Sequence, residues 1–145
     1  TRIESVFCPD GPVQSHEAAY QPFEHGYMVW WDGQIAAVWS GSGRVVADTW
    51  DGGEVVFDET PPDGLIQPVR GFGTVWANDE SLRLALGWAT APEQAYTMQR
   101  QQTVLTHRPG LRGGYEAADV AFTLPDGRTI SGQLGASGWL SRLTE

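Results

Sequence analysis

The chain has 145 residues and a formal net charge of -9, from 9 basic and 18 acidic side chains. Its length fits a single domain, and its negative charge with scattered basic residues argues against nucleic acid and anionic membranes as partners, because both attract clustered basic side chains. All the basic residues are arginines, which excludes catalysis by a lysine amine, and no stretch approaches the roughly 18 apolar residues of a membrane span, so no membrane insertion is expected.

The composition favours short strands joined by turns, with 18 glycines, 9 prolines and 11% aromatic residues. Residues 1–20 are predicted to form an N-terminal arm, within which residues 3–7 alternate as in an edge strand. Residues 21–145 are predicted to form a single β-rich domain, with 21–64 and 65–145 as candidate sub-units.

The first predicted hairpin has an Asp-Gly dipeptide at residues 32–33 between two apolar and aromatic runs, residues 27–31 and 35–39. Asp-Gly between such runs is a strong hairpin signal because it tolerates the backbone of a tight turn. Further short strands are predicted at residues 44–50 and 54–57, where glycine-rich turns separate them. An acidic, proline-containing loop then ends the first half.

The second half contains the best helix candidate, residues 79–86, with Asn78 or Asp79 as the N-terminal cap and Gly87 after the last turn. Residues 90–93 resemble a capping box, which predicts a further helical turn.

An extended segment at residues 99–106 and a second hairpin follow. The hairpin is predicted from residues 118–124 and 128–134, which flank a Pro-Asp-Gly turn. The expected fold is therefore mainly β, a meander of hairpins with one or two short helices.

Two segments of the chain echo each other. Gln-Pro at the start of residues 21–23 recurs in residues 67–69, and Val-Trp at residues 29–30 recurs at 75–76. This echo raises the alternative that the domain holds two related β units packed side by side.

Two motifs in this region carry a family resemblance: F-x-x-G-x-x-x-W at residues 23–30 and, after Trp76, L-G-W-A-T-x-x-E at residues 86–93. They resemble the LGFP repeat of bacterial envelope and secreted proteins. A further likeness, over about residues 20–96, is to uncharacterised extracellular domains of filamentous and related soil or aquatic bacteria, which carry similar Q-P-F-E-x-G-x-M-x-W and Q-P-V-R-G-F-G-x-V-W stretches. The resemblance implies a secreted or cell-surface β-rich module that contacts glycan or cell wall.

Metal and cofactor signatures are weak. His16, His25 and His107 are isolated, and the lone Cys8 forms neither a Cys-x-x-Cys pair nor an intramolecular disulfide. The acidic residues between 48 and 63 suit calcium by chemistry, but they lack the ligand spacing of an EF-hand, so a solvated acidic face is the simpler interpretation. No metal and no cofactor is predicted.

Catalytic signatures are also weak. The sequence has no Gly-x-Ser-x-Gly elbow and no complete dinucleotide fingerprint. Paired carboxylates for glycoside hydrolysis, for example Glu24 with Asp48, depend on a separation in space that the sequence does not give. The chain is therefore not predicted to be an enzyme, and a glycoside hydrolase is kept as the less favoured reading.

The tryptophans are the remaining candidates for functional residues. A small β core buries large aromatic residues, and this is the expected place of most of them: Trp30, Trp39, Trp76 and Trp88.

Exposed tryptophans would suit glycan binding, because an indole stacks on the apolar face of a sugar while nearby polar side chains bind its hydroxyls. Trp31 is a candidate because it is adjacent to a buried tryptophan on a strand and points to the opposite face. Trp50 and Trp139 have polar or glycine-rich neighbours. Together with Asp48 and Asp51 they form the predicted ligand-binding set.

The function expected from the sequence is a non-catalytic extracellular or cell-envelope module that binds a glycan or cell-wall polymer. The alternative is a self-assembling surface subunit, a homo-oligomer or filament built by strand addition. Its candidate edges are residues 3–7 and the hairpin at residues 118–134.

Overall fold

The computed structural model describes residues 13–102, 106–108, 115–135 and 137–145. The strand predicted at residues 3–7, with Cys8, lies outside these ranges. The described elements, in chain order, are β1 (Val13–Phe23), β2 (Gly26–Trp31), β3 (Gln34–Trp39), β4 (Ser42–Ala47), α1 (Arg70–Asn78), α2 (Glu80–Leu86), β5 (Gln94–Gln102), β6 (Thr106–Arg108), β7 (Tyr115–Thr123), β8 (Thr129–Gly135) and β9 (Trp139–Thr144).

The strands form a closed antiparallel barrel. Eight of them follow one another in the order β5-β1-β2-β3-β4-β9-β8-β7, and pairing of β5 with β7 returns the sheet to its start. The short strand β6 adds to the remaining length of β7. The prediction of a mainly β fold with hairpins and two short helices is confirmed.

Both predicted hairpins are present. Asp32 and Gly33 have φ of 48° and 75°, and positive values at both central residues are the requirement of the tight turn that joins β2 to β3. The turn between β7 and β8 is longer, and in it Gly127, with φ of 89°, takes the left-handed conformation.

Strand alternation divides the apolar residues between two cores. Alternate side chains of the strands point into the barrel and pack there as one cluster. The buried members of this interior core are Ala18, Val29, Trp31, Ala36, Val38, Met98, Val120, Phe122, Leu124, Ile130, Leu140 and Leu143.

The second core lies on the outer face of β1–β3, where the two helices cover the sheet. Residues of these strands that point away from the interior pack against the buried sides of α1 and α2. The buried members of this outer core are Phe23, Met28, Ile35, Ala37, Phe72, Val75, Trp76, Leu82, Leu86 and Ala89. Strands β2 and β3 are therefore covered on both faces, which explains their nearly continuous apolar sequence.

Helix α2 begins and ends where its sequence predicts. The carboxylate of Asp79 accepts the backbone N–H of Leu82 at 3.1 Å, which caps the N-terminus. Gly87, with φ of 77°, ends the helix, and its N–H donates to the carbonyl of Arg83.

Helix α1 was not predicted, because its sequence contains two glycines and its N-terminus has no side-chain cap. Packing explains both glycines. A Cβ on Gly73 would lie 2.3 Å from the carbonyl oxygen of Pro68, and a Cβ on Gly71 would lie 2.7 Å from Oδ1 of Asp48. Tertiary burial of Phe72, Val75 and Trp76 thus outweighs the poor intrinsic helix propensity.

Several boundaries differ from the predictions. Residues 54–57 form no strand, and residues 90–93 form no helical turn but precede β5. The boundary drawn after residue 20 falls inside β1, so residues 13–20 belong to the sheet. The echo at residues 75–76 lies in a helix while its counterpart at 29–30 lies in a strand, so the two segments are not copies of one β unit.

The hairpin at residues 118–134 has no free edge for strand addition. One side of β7 pairs with β5 and β6, and the outer side of β8 pairs with β9. Barrel closure thus uses one of the two edges named for the self-assembly alternative, and the other, residues 3–7, lies outside the described residues.

Candidate functional site

A cleft of about 450 Å³ opens between the outer face of the barrel and the N-terminus of α1. The residues that line it come from β1, β2, β5, α1 and the segments next to them: Ala19, Trp30, Asp48, Trp50, Arg70, Gly71, Phe72, Glu93 and Ala95.

The floor of the cleft follows from strand register. Ala19 lies opposite Ala95 on β5 and opposite Trp30 on β2, so the three residues form one row across adjacent strands. Two of them are alanines, and their small side chains leave a depression on the sheet beside the indole of Trp30. The helix covers the neighbouring part of this face, and the cleft is the part that remains open.

Asp48 holds one wall of the cleft together. Its Oδ2 accepts the indole N–H of Trp30 at 3.0 Å, and its Oδ1 accepts the backbone N–H of Trp50 at 3.0 Å. The same carboxylate packs against the Cα of Gly71, where a side chain would not fit. Asp48 therefore links the sheet, the loop after β4 and the start of α1.

Trp50 stands at the rim of the cleft with 37% of its surface exposed. Its indole N–H donates to the carbonyl of Gly53 at 2.7 Å, and the backbone N–H of Gly53 donates to Oδ1 of Asp51 at 2.8 Å. Asp51 thus shapes the loop that orients Trp50, and it does not line the cleft itself.

Arg70 and Glu93, which also line the cleft, form an ion pair. Nη1 of Arg70 donates to Oε1 of Glu93 at 2.9 Å, with 66% of the arginine side chain and 22% of the glutamate side chain exposed. Arg70 has a φ of 56°, in the left-handed region that favours glycine. The lining of the cleft therefore combines an exposed aromatic side chain with a charged donor and a charged acceptor.

The predicted binding residues do not come together as one set. Trp50 and Asp48 line the cleft, and Asp51 supports it. The expected exposure of Trp31 is wrong: the residue is 4% exposed inside the barrel, because helices cover the other face of its strand and both faces of β2 are buried.

Trp139 is 51% exposed on β9, outside the residues that line the cleft. The guanidinium of Arg44 lies 5.3 Å from its ring centroid. This tryptophan is therefore a separate exposed aromatic residue.

The sequence did not indicate Arg70, Glu93 or the two alanines of the floor. Strand alternation did place Trp30 and Trp31 on opposite faces of β2, but it did not say that Trp30 is the one that reaches the cleft. The position of Arg70 depends on α1, and this helix was not predicted because its sequence contains two glycines.

The two glycine- and tryptophan-containing motifs, residues 23–30 and 86–93, contact each other and stabilise the fold. The carboxylate of Glu24, in the turn after β1, accepts the backbone N–H of Trp88 at 2.9 Å, and the backbone N–H of Glu24 donates to the carbonyl of the same residue. The indole N–H of Trp76 donates to the carbonyl of Gly87 at 2.8 Å. Glu24 serves this contact and is not among the residues that line the cleft with Asp48.

Within the described ranges, no group of three or more histidine, cysteine, aspartate or glutamate side chains is arranged to hold a metal ion. In the same residues, no helix has the length and apolar character needed to cross a membrane.

Comparison of the chain with protein-family models, with curated proteins and with solved structures gave no match in any of the three.

Proposed function

We propose that this domain is a non-catalytic extracellular or cell-envelope module that binds a glycan or cell-wall polymer in the cleft beside Trp50. The observation that carries the proposal is the half-exposed indole of Trp50, held at the rim of the cleft by hydrogen bonds from its backbone N–H to Asp48 and from its ring to Gly53. An indole fixed in this way loses little conformational entropy when a ligand stacks on it.

The chemistry of the cleft suits a sugar ring. The apolar face of a pyranose packs against an indole, while its hydroxyls require donors and acceptors at the edge of the same site. Trp50 supplies the aromatic surface, and the Arg70–Glu93 pair supplies both kinds of polar group. A volume of about 450 Å³ holds one or two sugar residues of a longer polymer, which would extend past the open rim.

The resemblance of the glycine and tryptophan motifs to envelope and secreted domains supports a secreted or cell-surface location. Polysaccharides are abundant in that setting, so a binding module of this chemistry would meet its ligand there.

A fluorescence titration against a panel of soluble polysaccharides tests the proposal. Wild-type protein is expected to show a saturable change in tryptophan emission with at least one of them. The variant Trp50→Ala should lose that binding, whereas Trp139→Ala, which removes a more exposed indole outside the cleft, should keep it. Absence of a saturable change with every glycan would remove the proposal.

A further inference from the structure

Arg70 has a backbone conformation that its residue type disfavours. Its φ of 56° lies in the left-handed region, where a Cβ crowds the backbone and glycine is the usual residue. The next residue in the chain is Gly71, so glycine is used beside this position but not at it. Backbone strain of this kind clusters at functional sites, and Arg142, with a φ of 55° away from the cleft, offers a comparison without a role in it.

The side chain of Arg70 keeps free donors at the cleft. A guanidinium has five N–H groups, and the hydrogen bond to Glu93 uses one of them. Two thirds of the side chain is exposed, and it lines the cleft that Trp50 also lines. Glu93 accepts that bond through Oε1, which leaves Oε2 as an acceptor beside the arginine. A donor and an acceptor thus lie next to each other.

Neighbouring sugar hydroxyls match this arrangement, because each hydroxyl both donates and accepts. One hydroxyl would accept from Arg70 while the next would donate to Glu93, with the sugar ring against the indole of Trp50 in the same cleft.

The charges of the cleft argue against an acidic sugar. The cleft is lined by two carboxylates, Asp48 and Glu93, and one guanidinium, that of Arg70. The chain as a whole carries -9. A uronic acid would bring another carboxylate into this negative surrounding and would be repelled.

We propose that the Arg70–Glu93 pair binds two neighbouring hydroxyls of a non-acidic sugar ring stacked on Trp50, and so determines the specificity of the cleft. This inference rests on the proposed function and names its ligand class.

The first experiment compares uncharged oligosaccharides of glucose, mannose, galactose and N-acetylglucosamine with oligouronides of similar length, by calorimetric titration of the wild-type protein. An uncharged oligosaccharide should bind at least tenfold more tightly than any oligouronide. Equal or tighter binding of an oligouronide would overturn the inference and leave glycan binding intact. Failure to bind any saccharide would overturn the proposed function itself.

The second experiment uses the best uncharged ligand and a matched pair of variants. Arg142, on β9 and away from the cleft, has a φ of 55°, so Arg142→Gly makes the same change in the same backbone conformation. Both Arg70→Gly and Arg142→Gly should remain folded, because the backbone strain that glycine relieves at each position offsets the greater freedom of the unfolded chain and, at position 70, the loss of the exposed bond to Glu93. Only Arg70→Gly should lose affinity, by tenfold or more.

A third variant separates recognition from folding. Glu93→Gln removes one negative charge with little change of shape, so it should reduce the preference for the uncharged ligand over the oligouronide. An Arg70→Gly variant that binds within twofold of wild type, or a Glu93→Gln variant with unchanged preference, would overturn the inference while the proposed function stands.

Discussion

The carboxylate of Asp48 accepts the indole N–H of Trp30 at 3.0 Å, and this bond joins the loop after β4 to the outer face of the barrel. The other oxygen of the same carboxylate accepts the backbone N–H of Trp50. Asp48 was predicted as a ligand-binding residue, and the structure gives both its oxygens partners within the protein. Its role in the cleft is therefore to position the two tryptophans.

Replacing Asp48 with alanine should destabilise the fold and disorder the rim of the cleft. The change leaves the partly buried indole N–H of Trp30 without its acceptor, which costs about 1–3 kcal/mol. Urea unfolding measures the loss, and acrylamide quenching should increase as Trp50 becomes mobile. Asp63→Ala, at an exposed acid of the following loop, is the control and should change stability by less than about 0.5 kcal/mol. Equal stability of the two variants would contradict the positioning role.

Replacing Gly71 with alanine should push α1 away from Asp48. The new Cβ would lie 2.7 Å from Oδ1 of Asp48, closer than unstrained contact allows. We expect a loss of about 1–3 kcal/mol, the range for overpacking, together with weaker ligand binding. Gly135→Ala is the control, because its Cβ would meet nothing closer than 3.8 Å. Thermal unfolding of both variants tests this, and a Gly71→Ala protein as stable as the control would show that the helix can shift without cost.

The fold could be predicted from the sequence where the signal was local. Asp32 and Gly33 specified a turn that few other residues permit, and Asp79 and Gly87 specified the two ends of α2. Barrel closure was not predictable, because pairing of β5 with β7 joins distant segments and depends on twist and register.

The site was predictable only in part, for a related reason. Trp50 and Asp48 were identified from the loop in which they lie, but the position of Arg70 depends on a helix with poor local propensity. The burial of Trp31 depends on how both faces of β2 are covered, and alternation alone does not say which side remains exposed.

The N-terminal cap of α2 should make stability depend on pH. The hydrogen bond from the backbone N–H of Leu82 holds the pKa of Asp79 below its usual range. The hydrogen bond from Ser81 and the positive charge of Arg44 make smaller contributions in the same direction. A lowered pKa in the folded state means that the charged form contributes stability above the unfolded pKa of about 4, and that this contribution is lost as pH falls through the folded value.

The variant Asp79→Asn keeps a capping oxygen but no charge. It should be less stable than wild type at pH 7, by about 0.3–1 kcal/mol, and the difference should shrink toward zero near pH 2. Urea unfolding at several pH values measures this. A difference that stays constant with pH would show that the charge of Asp79 does not contribute.

Arg83 should stabilise the helix pair through both its hydrogen bonds and its aromatic contacts. Its Nη1 donates to the carbonyl of Ala77 at 2.9 Å at the end of α1, and its guanidinium lies 5.0 Å from the ring centroid of Phe57 and 5.8 Å from that of Trp76. Arg83→Ala should lower the free energy of unfolding by about 1–2 kcal/mol. Arg83→Lys should lower it by less, because lysine keeps the positive charge but lacks the planar guanidinium. Chemical denaturation of the two variants, with Arg142→Ala as the exposed control, tests this order; equal stability of all three would refute it.

The most direct test of ligand binding in the cleft is a nitrogen–proton correlation spectrum of the tryptophan indoles during titration with the best uncharged oligosaccharide. The indole signals of Trp50 and Trp30, which line the cleft, should shift in a saturable manner. Those of Trp31, inside the barrel, and Trp139, on β9, should stay in place. Shifts at Trp139 without shifts at Trp50 would contradict the assignment of the cleft as the binding site.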